Sequence, residues 1–220
     1  KVKSFTKDDS LKVVYEGVPA IGRNPHKGQN AIFSFVKDFE GIQGLDTRSQ
    51  DLIKLLSRYF VDSNHGEKLG IFHEDEETGQ TTSNLSYVTL NDIGYIISFD
   101  YRYPKGTDNR RSTESLMKIG SDNGLDLIII KERPLLYVAP DNDLIRALKQ
   151  AYENITGDKA KLFSKGAASY ARCLKQGVAF GPTFSADIPN SHKPNECVNV
   201  ENFNKALLIY AETIKLINEL

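Results

Sequence analysis

The chain has 220 residues, of which 40% are hydrophobic and 26% are charged, and its net charge is -1. This size and composition suit a globular protein of one large domain or two modest ones. The balanced charge excludes bulk electrostatic attraction to nucleic acid or an anionic membrane, and no apolar run approaches the roughly 20 residues of a membrane-spanning helix, so we expect neither partner.

Sequence patterns predict an α+β unit in the first part of the chain. Alternation and helical spacing of apolar residues predict, in order, a strand at 11–16, a helix at 29–39, a helix from Asp46 or Thr47, strands at 85–90 and 93–103, a helix at 113–119 and a strand at 125–130. This order is that of a ferredoxin-like βαββαβ fold with an insertion between the second helix and the second strand.

A second, smaller segment follows a predicted domain crossing at 134–140, so we place the domains at 1–138 and 139–220. Its predicted elements are a helix at 143–155 closed by Gly157, a strand at 161–163, a helix at 168–175 and a buried strand at 178–180. A last helix is predicted at 200–220, with Asn199 as its cap. The residues of this helix predicted to face inward are Phe203, Ala206, Leu207, Tyr210, Ile214 and Ile217. So small a core with unpaired strand edges predicts a partner, either a missing segment or another chain.

Few residues stand out chemically when they are taken alone. The four histidines His26, His65, His73 and His192 form no recognised metal-binding spacing, which favours surface roles, and His73 lies beside an acidic run typical of a solvated loop. Arg172 by itself is typical of a surface charge.

The two cysteines bear on the cellular compartment of the protein, and the single methionine bears on where the chain begins in its gene product. Cys173 and Cys197 are too few for a disulfide framework; a single disulfide stays open, but reduced thiols in the cytoplasm are the preferred interpretation. Met117 is the sole methionine, so we expect the chain to begin inside a longer gene product, with processing as the alternative.

Three segments resemble, in the same order, the peptidase V-like di-zinc dipeptidases of the aminoacylase and acetylornithine deacetylase superfamily. They are the loop at 20–31, the strand end at 98–104 and the stretch at 166–196. The resemblance implies that residues 1–138 are an α+β lid domain and residues 139–220 the C-terminal α/β segment of an incomplete zinc-peptidase domain. The parent enzyme would hydrolyse dipeptides or N-acyl amino acids with a zinc-activated water.

The resemblance also assigns roles to individual residues. His192, in His192-Lys-Pro-Asn-Glu196, corresponds to the last metal ligand. Gly166, Ser169 and Arg172 correspond to the segment that holds the substrate carboxylate, a task for which a planar guanidinium is suited. Alanines at 167 and 168 replace family glycines, which hinders close backbone approach to a ligand.

Other parts of the catalytic apparatus are expected to be altered or absent. Ile21 replaces the lid histidine that donates to the oxyanion, and one such loss costs on the order of 10²–10³ in turnover. His26 could substitute only in a rearranged loop, and Arg102 is interpreted as structural with a weaker claim on substrate.

The other family ligands, including a His-x-Asp, and the Glu-Glu general base are expected to have no counterpart here, since Glu76-Glu77 lies in the lid insertion. We therefore predict weak or no zinc binding and no peptide hydrolysis by this chain alone, with the missing N-terminal catalytic half as a candidate partner. The alternative is a degenerate relative that acts as a binding or assembly module. A third interpretation is a ferredoxin-like binding domain unrelated to peptidases. It is disfavoured because it would attribute the three ordered motif matches to chance.

Overall fold

The fold is described from a computed structural model, which describes residues 2–7, 11–20, 22–166, 169–181, 183–184, 186–187 and 195–220. The chain divides into two compact units, one of residues 1–135 with 164–166 and the other of residues 136–163 with 167–220. Their assignment as a lid and as part of a zinc-binding domain stays a prediction.

The strands of the first unit form antiparallel hairpins. In its described part there are three two-stranded sheets, formed by β1 (Val2–Lys7) with β2 (Leu11–Tyr15), β3 (Glu74–Asp75) with β4 (Gly79–Gln80), and β5 (Thr82–Leu90) with β6 (Tyr95–Arg102). The strands predicted at 85–90 and 93–103 are confirmed, and they pair with each other as the β5–β6 hairpin. The Asn91 side-chain oxygen accepts hydrogen bonds from the backbone N–H groups of Ile93 and Gly94, at 2.9 and 3.0 Å, and so fixes the turn.

Three helices complete this unit, and each begins at a polar capping residue. They are α1 (Ala31–Phe39), α2 (Thr47–Tyr59) and α3 (Asn109–Asp122), with caps at Asn30, Asp46 and Asp108. The third helix is longer than the predicted 113–119 because its cap is Asp108, whose side chain accepts a hydrogen bond from Arg111 N at 3.0 Å.

The core of the first unit lies between these helices and the β5–β6 hairpin. Its most deeply buried side chains are Leu56, Leu69, Ile71, Val36 and Thr81. The segment between α2 and β5 therefore contributes as much to the core as the helices do, although its sequence is polar and irregular.

The strand predicted at 125–130 is wrong. The structure has no regular element there, and Ile128, Ile129 and Ile130 are exposed. Leu125 N donates to Gly120 O at 2.8 Å, which turns the chain back over the end of α3. The ferredoxin-like topology is accordingly not confirmed, whereas the α+β class is.

The second unit is built on two packed helices, α4 (Asp143–Thr156) and α5 (Val200–Ile217). Asn142 caps α4 and Gly157, at φ 72°, ends it, as the sequence predicts. The predicted strands at 161–163 and 178–180 are not formed. The predicted helix at 168–175 is, in its described part, a 3-10 turn at Tyr170–Cys173, because Leu174 is extended at ψ 147°.

The buried face of α5 differs from the predicted one. The side chains that face α4 and are buried include Ala206, Ile209 and Thr213. Four residues predicted to face inward are exposed instead, namely Phe203, Leu207, Ile214 and Ile217. Helical spacing alone predicted an apolar stripe, but the position of the partner helix decides which stripe is buried.

Candidate functional site

Two of the predicted substrate-binding residues lie in one tight turn of the second unit. Ser169 precedes the 3-10 turn in an extended conformation, and Arg172 N donates to Ser169 O at 3.3 Å. Ser169 is exposed and Arg172 is half-buried. The Ser169 hydroxyl makes no capping hydrogen bond to the turn, and the Nε atom of Arg172 is buried.

The third predicted substrate-binding residue, Gly166, belongs to the first unit. A Cβ atom on Gly166 would lie 3.2 Å from Arg23 Cβ and 3.5 Å from Arg102 Cδ. The backbone of Gly166 does not adopt a positive φ, and a Cβ atom there would be tight only against Arg23, since 3.5 Å from Arg102 is an ordinary contact. The structure thus brings Gly166 together with Arg102 and Arg23.

Gly22 lies against the end of the β5–β6 hairpin, next to Arg102. A Cβ atom on Gly22 would lie 3.1 Å from Asp100 Oδ2 and 3.4 Å from Arg102 Nη2. Arg102 Nε is 3.9 Å from Asp100 Oδ2, so the carboxylate partly balances its charge. Ile21 lies outside the described residues.

Arg23 is a residue that the sequence interpretation missed. An arginine two positions after Ile21, in a loop rich in Gly and Pro, was the available signal. Its Cβ and Cα atoms lie 3.2 and 3.9 Å from the Cβ position of Gly166, so Arg23 belongs to the surroundings of that glycine.

His26 lies against His65 in the same unit. The two rings stack with centroids 5.7 Å apart and planes 21° apart. His65 Nδ1 lies 2.8 Å from Thr81 O, and because a carbonyl can only accept, Nδ1 carries the proton and donates. The stacking of the two rings holds His26 against His65.

One expectation from the sequence needs correction, because a His-x-Asp is present at His73-Glu74-Asp75. The Asp75 carboxylate accepts hydrogen bonds from Thr78 N at 2.8 Å, Thr78 Oγ1 at 2.7 Å and Glu77 N at 3.1 Å. The Thr78 hydroxyl and Lys105 lower the Asp75 pKa, the hydroxyl having the larger effect. Asp75 therefore stabilises the β3–β4 turn, which is a structural role.

Zinc is the metal that the motif resemblance implies for this site. The predicted ligand His192 lies outside the described residues. Within the ranges given above, no group of three or more His, Cys, Asp or Glu side chains could hold a metal ion. The described donors do not fit a zinc ion by themselves.

Two further expectations concern compartment. Cys173 and Cys197 are both exposed thiols. No helix among the described residues is long and apolar enough to cross a membrane.

Comparison with known proteins identifies the family. A profile described as Peptidase family M20/M25/M40 matches residues 51–216, a stretch that includes parts of both units. The chain belongs to the M20 peptidase family. The family-level resemblance predicted from the three motif segments is confirmed, while the peptidase V-like and lid-domain assignments remain predictions.

Individual relatives cover the chain almost fully. A protein of Staphylococcus aureus strain MW2 named "Putative dipeptidase" is 30% identical over 93% of this chain and 44% of its own length. The corresponding protein of strain USA300 is 29% identical over the same shares. The chain thus spans less than half the length of these relatives.

A solved structure shares the fold. An M20 family metallo-carboxypeptidase from Sulfolobus solfataricus superposes with a TM-score of 0.51 at 17% identity, over 83% of this chain and 47% of that chain. At this identity the similarity concerns the fold alone.

Proposed function

We propose that this chain is part of a zinc-dependent metallodipeptidase of the peptidase V type, with residues 1–138 as its lid and 139–220 as the C-terminal segment of its zinc-binding domain. The family match over residues 51–216 carries the proposal, because it joins both parts of the chain to one peptidase family. The names of the S. aureus relatives support dipeptides as the substrate class, with N-acyl amino acids as a related class.

In this proposal the substrate's carboxylate is bound by the turn of Ser169 and Arg172, with Gly166 contributing close backbone approach. An arginine fits this role because its planar guanidinium can donate two parallel hydrogen bonds to a carboxylate.

Zinc would be held in the complete enzyme by His192 together with ligands from outside this chain. The metal's chemistry there is to lower the pKa of a bound water so that it attacks the peptide carbonyl. Because the described residues do not supply the other ligands or a general base, the chain alone is expected to bind zinc weakly or not at all and to leave peptides uncleaved. We place the enzyme in the cytoplasm.

A second candidate is a non-catalytic relative that works as a binding or assembly module. It is favoured by Ile21, which cannot donate to an oxyanion, and by Ala167 and Ala168 at the positions of family glycines. The two candidates differ in what happens when the rest of the enzyme is supplied.

The test combines this chain with the separately produced part of the S. aureus MW2 relative that lies outside the match. Zinc content and dipeptide hydrolysis are measured for the chain, for the other part and for the mixture. The proposal expects zinc and hydrolysis only in the mixture. Stoichiometric zinc with hydrolysis by the chain alone would contradict it, and a stable mixture without hydrolysis would favour the binding module.

Two substitutions locate the roles within an active mixture. His192→Ala should lower the zinc content. Arg172→Ala should keep zinc but raise KM roughly 10- to 100-fold, as expected for the loss of about 1.5–3 kcal/mol of charged hydrogen bonding. Arg110→Ala is the matched control, since Arg110 is exposed and pairs only locally with Glu114 at 3.0 Å. An Arg172 variant that behaves like the Arg110 variant would exclude the carboxylate role.

A further inference from the structure

A cleft of about 230 Å³ lies in the first unit, between the loop that precedes α1, the helix itself and residues 62–64 after α2. The polar and aromatic residues of its wall include Gln29, Phe33, Ser34, Lys37, Asp62 and Asn64. Pockets for drug-sized molecules have about 300–1,000 Å³. The size and the polar wall of this cleft therefore suit a smaller, polar molecule.

The walls of the cleft are fixed by their own backbone contacts. Gln29 exchanges two backbone hydrogen bonds with Val18, at 2.8 and 3.0 Å, and Asn64 O accepts one from Ser83 N at 2.7 Å. Asp62 adopts φ 57°, a left-handed conformation that aspartate and asparagine tolerate better than most residues. Because the backbone is already ordered, a ligand in the cleft would have to order only side chains.

Two opposite charges meet at the cleft and are open to solvent. Lys37 Nζ lies 2.9 and 2.8 Å from the two carboxylate oxygens of Asp62, and the side chains are 52% and 66% exposed. So exposed an ion pair contributes little to stability, so a ligand can share it at small cost. An ammonium group has three donors and a carboxylate about four acceptor positions, so the pair leaves donor and acceptor positions unused.

Three uncharged polar side chains of the wall have no hydrogen-bond partner among the described residues. They are Gln29, Ser34 and Asn64, of which Ser34 and Asn64 are half-buried. The half-buried ring of Phe33 adds an apolar surface to the same wall. The cleft thus combines a cation, an anion, neutral donors and acceptors and a small apolar contact in one volume.

We propose that this cleft binds a free α-amino acid in its zwitterionic form, with the ammonium group of the ligand on Asp62 and its carboxylate on Lys37. A single carbon atom joins the two charged groups of an α-amino acid, so both can contact an ion pair whose charged atoms are within 2.9 Å of each other. The charged ends of a dipeptide are separated by a peptide bond, so a dipeptide fits the pair less well.

The metabolic source of the ligand rests on the proposed function, because the hydrolysis of a dipeptide releases two free amino acids. In that case the first unit would bind a product of the reaction. The binding itself is argued from the cleft alone.

The test titrates L-alanine into the purified chain and follows its backbone amide signals by NMR. Propionate lacks the ammonium group, ethylamine lacks the carboxylate, and alanylalanine places its two charges farther apart. We expect L-alanine to shift the signals of residues 29–37 and 62–64 until they saturate. The three analogues should bind at least about 10-fold more weakly, because none can use both charges of the pair at once.

Two substitutions remove one charge each. Asp62→Asn keeps a residue that tolerates the left-handed backbone, and Lys37→Gln keeps a polar side chain on an exposed helical position. Each should weaken L-alanine binding roughly 10- to 100-fold, as expected for the loss of hydrogen bonds between charged groups, with unchanged circular dichroism. The matched controls are Asp122→Asn and Lys118→Gln, which remove the charges of an exposed ion pair of 2.9 Å on α3 and should leave binding unchanged.

A titration without saturable shifts, shifts confined to other residues, or equal affinity for any of the three analogues would overturn the proposal. So would control variants that lose as much binding as the Lys37 and Asp62 variants. Hydrolysis does not enter this test, so the two proposals fail separately. A chain that binds L-alanine here, but whose mixture with the rest of the enzyme leaves dipeptides uncleaved, would refute the proposed function alone.

Discussion

Replacing Gly66 by alanine should destabilise the first unit through two separable effects. Gly66 has φ +74°, and a Cβ atom there would lie 2.4 Å from Ile71 Cγ1 and 2.9 Å from Ile71 Cδ1. Carbon atoms pack at about 3.5–4.0 Å, and Ile71 cannot move easily because it is only 2% exposed. The left-handed backbone costs about 1–2 kcal/mol for a non-glycine residue and the overlap costs about 1–3 kcal/mol.

The expected loss in the free energy of unfolding is therefore about 2–5 kcal/mol, measured by urea unfolding followed by far-UV circular dichroism. Gly44→Ala is the control, because Gly44 has φ +88° with nothing within 4 Å of a Cβ position, so it should show the backbone cost alone. In Gly66→Ala/Ile71→Ala the overlap is removed, so the two substitutions should be less than additive. Equal losses for Gly66→Ala and Gly44→Ala would refute the packing argument.

Two further predictions concern helix caps. Asn142→Ala should lower the stability of the second unit by about 1 kcal/mol, because the Asn142 side chain accepts a hydrogen bond from Leu144 N at 3.0 Å; an unchanged thermal midpoint would contradict this. At Asp46, hydrogen bonds from the Ser49 hydroxyl and then the Ser49 backbone lower the pKa from 3.8. The stability that Asp46 adds relative to the Asp46→Ala variant should be fully present above pH 3.8. It should be lost as the pH falls through the lower pKa that Asp46 has in the folded state. A difference in unfolding free energy that does not change with pH would exclude a contribution from the ionised cap.

The sequence predicted those features of the fold that depend on near neighbours along the chain. Asp46 and Asn199 cap their helices as predicted, and Gly157 ends α4. A cap requires only a polar side chain and the next turn of backbone, so its signal is contained in a few consecutive residues.

Features that depend on distant partners were not predicted in this way. Residues 125–130 and 178–180 have strand-like composition, but a strand exists only where another strand pairs with it, and composition does not name that partner. The same limit explains α5, where spacing predicted an apolar stripe at Leu207 and Ile214 and the structure buries the adjoining one.

The candidate site shows this limit at the level of single residues. The sequence placed Ser169 and Arg172 in one short segment, and they do share a turn. It gave no indication that Gly166 lies against Arg23 and Arg102, because these three positions are far apart in the chain and are brought together by folding alone. The His73-Glu74-Asp75 sequence shows the converse, since it has ligand spacing while Asp75 is occupied in a turn.

The exposed stripe of α5 also bears on the choice between the two proposed functions. In a module that works alone, the side chains of Phe203, Leu207 and Ile214 would stay exposed to water. An exposed apolar helix face promotes self-association, which is a disadvantage for such a module. A polar residue at any of the three would cost such a module no core packing, because the buried side chains of α5 belong to the adjoining stripe. In the proposed larger enzyme, the remainder of the domain would be available to cover those side chains. The stripe is therefore the feature of the described residues that most favours the peptidase over the stand-alone binding module.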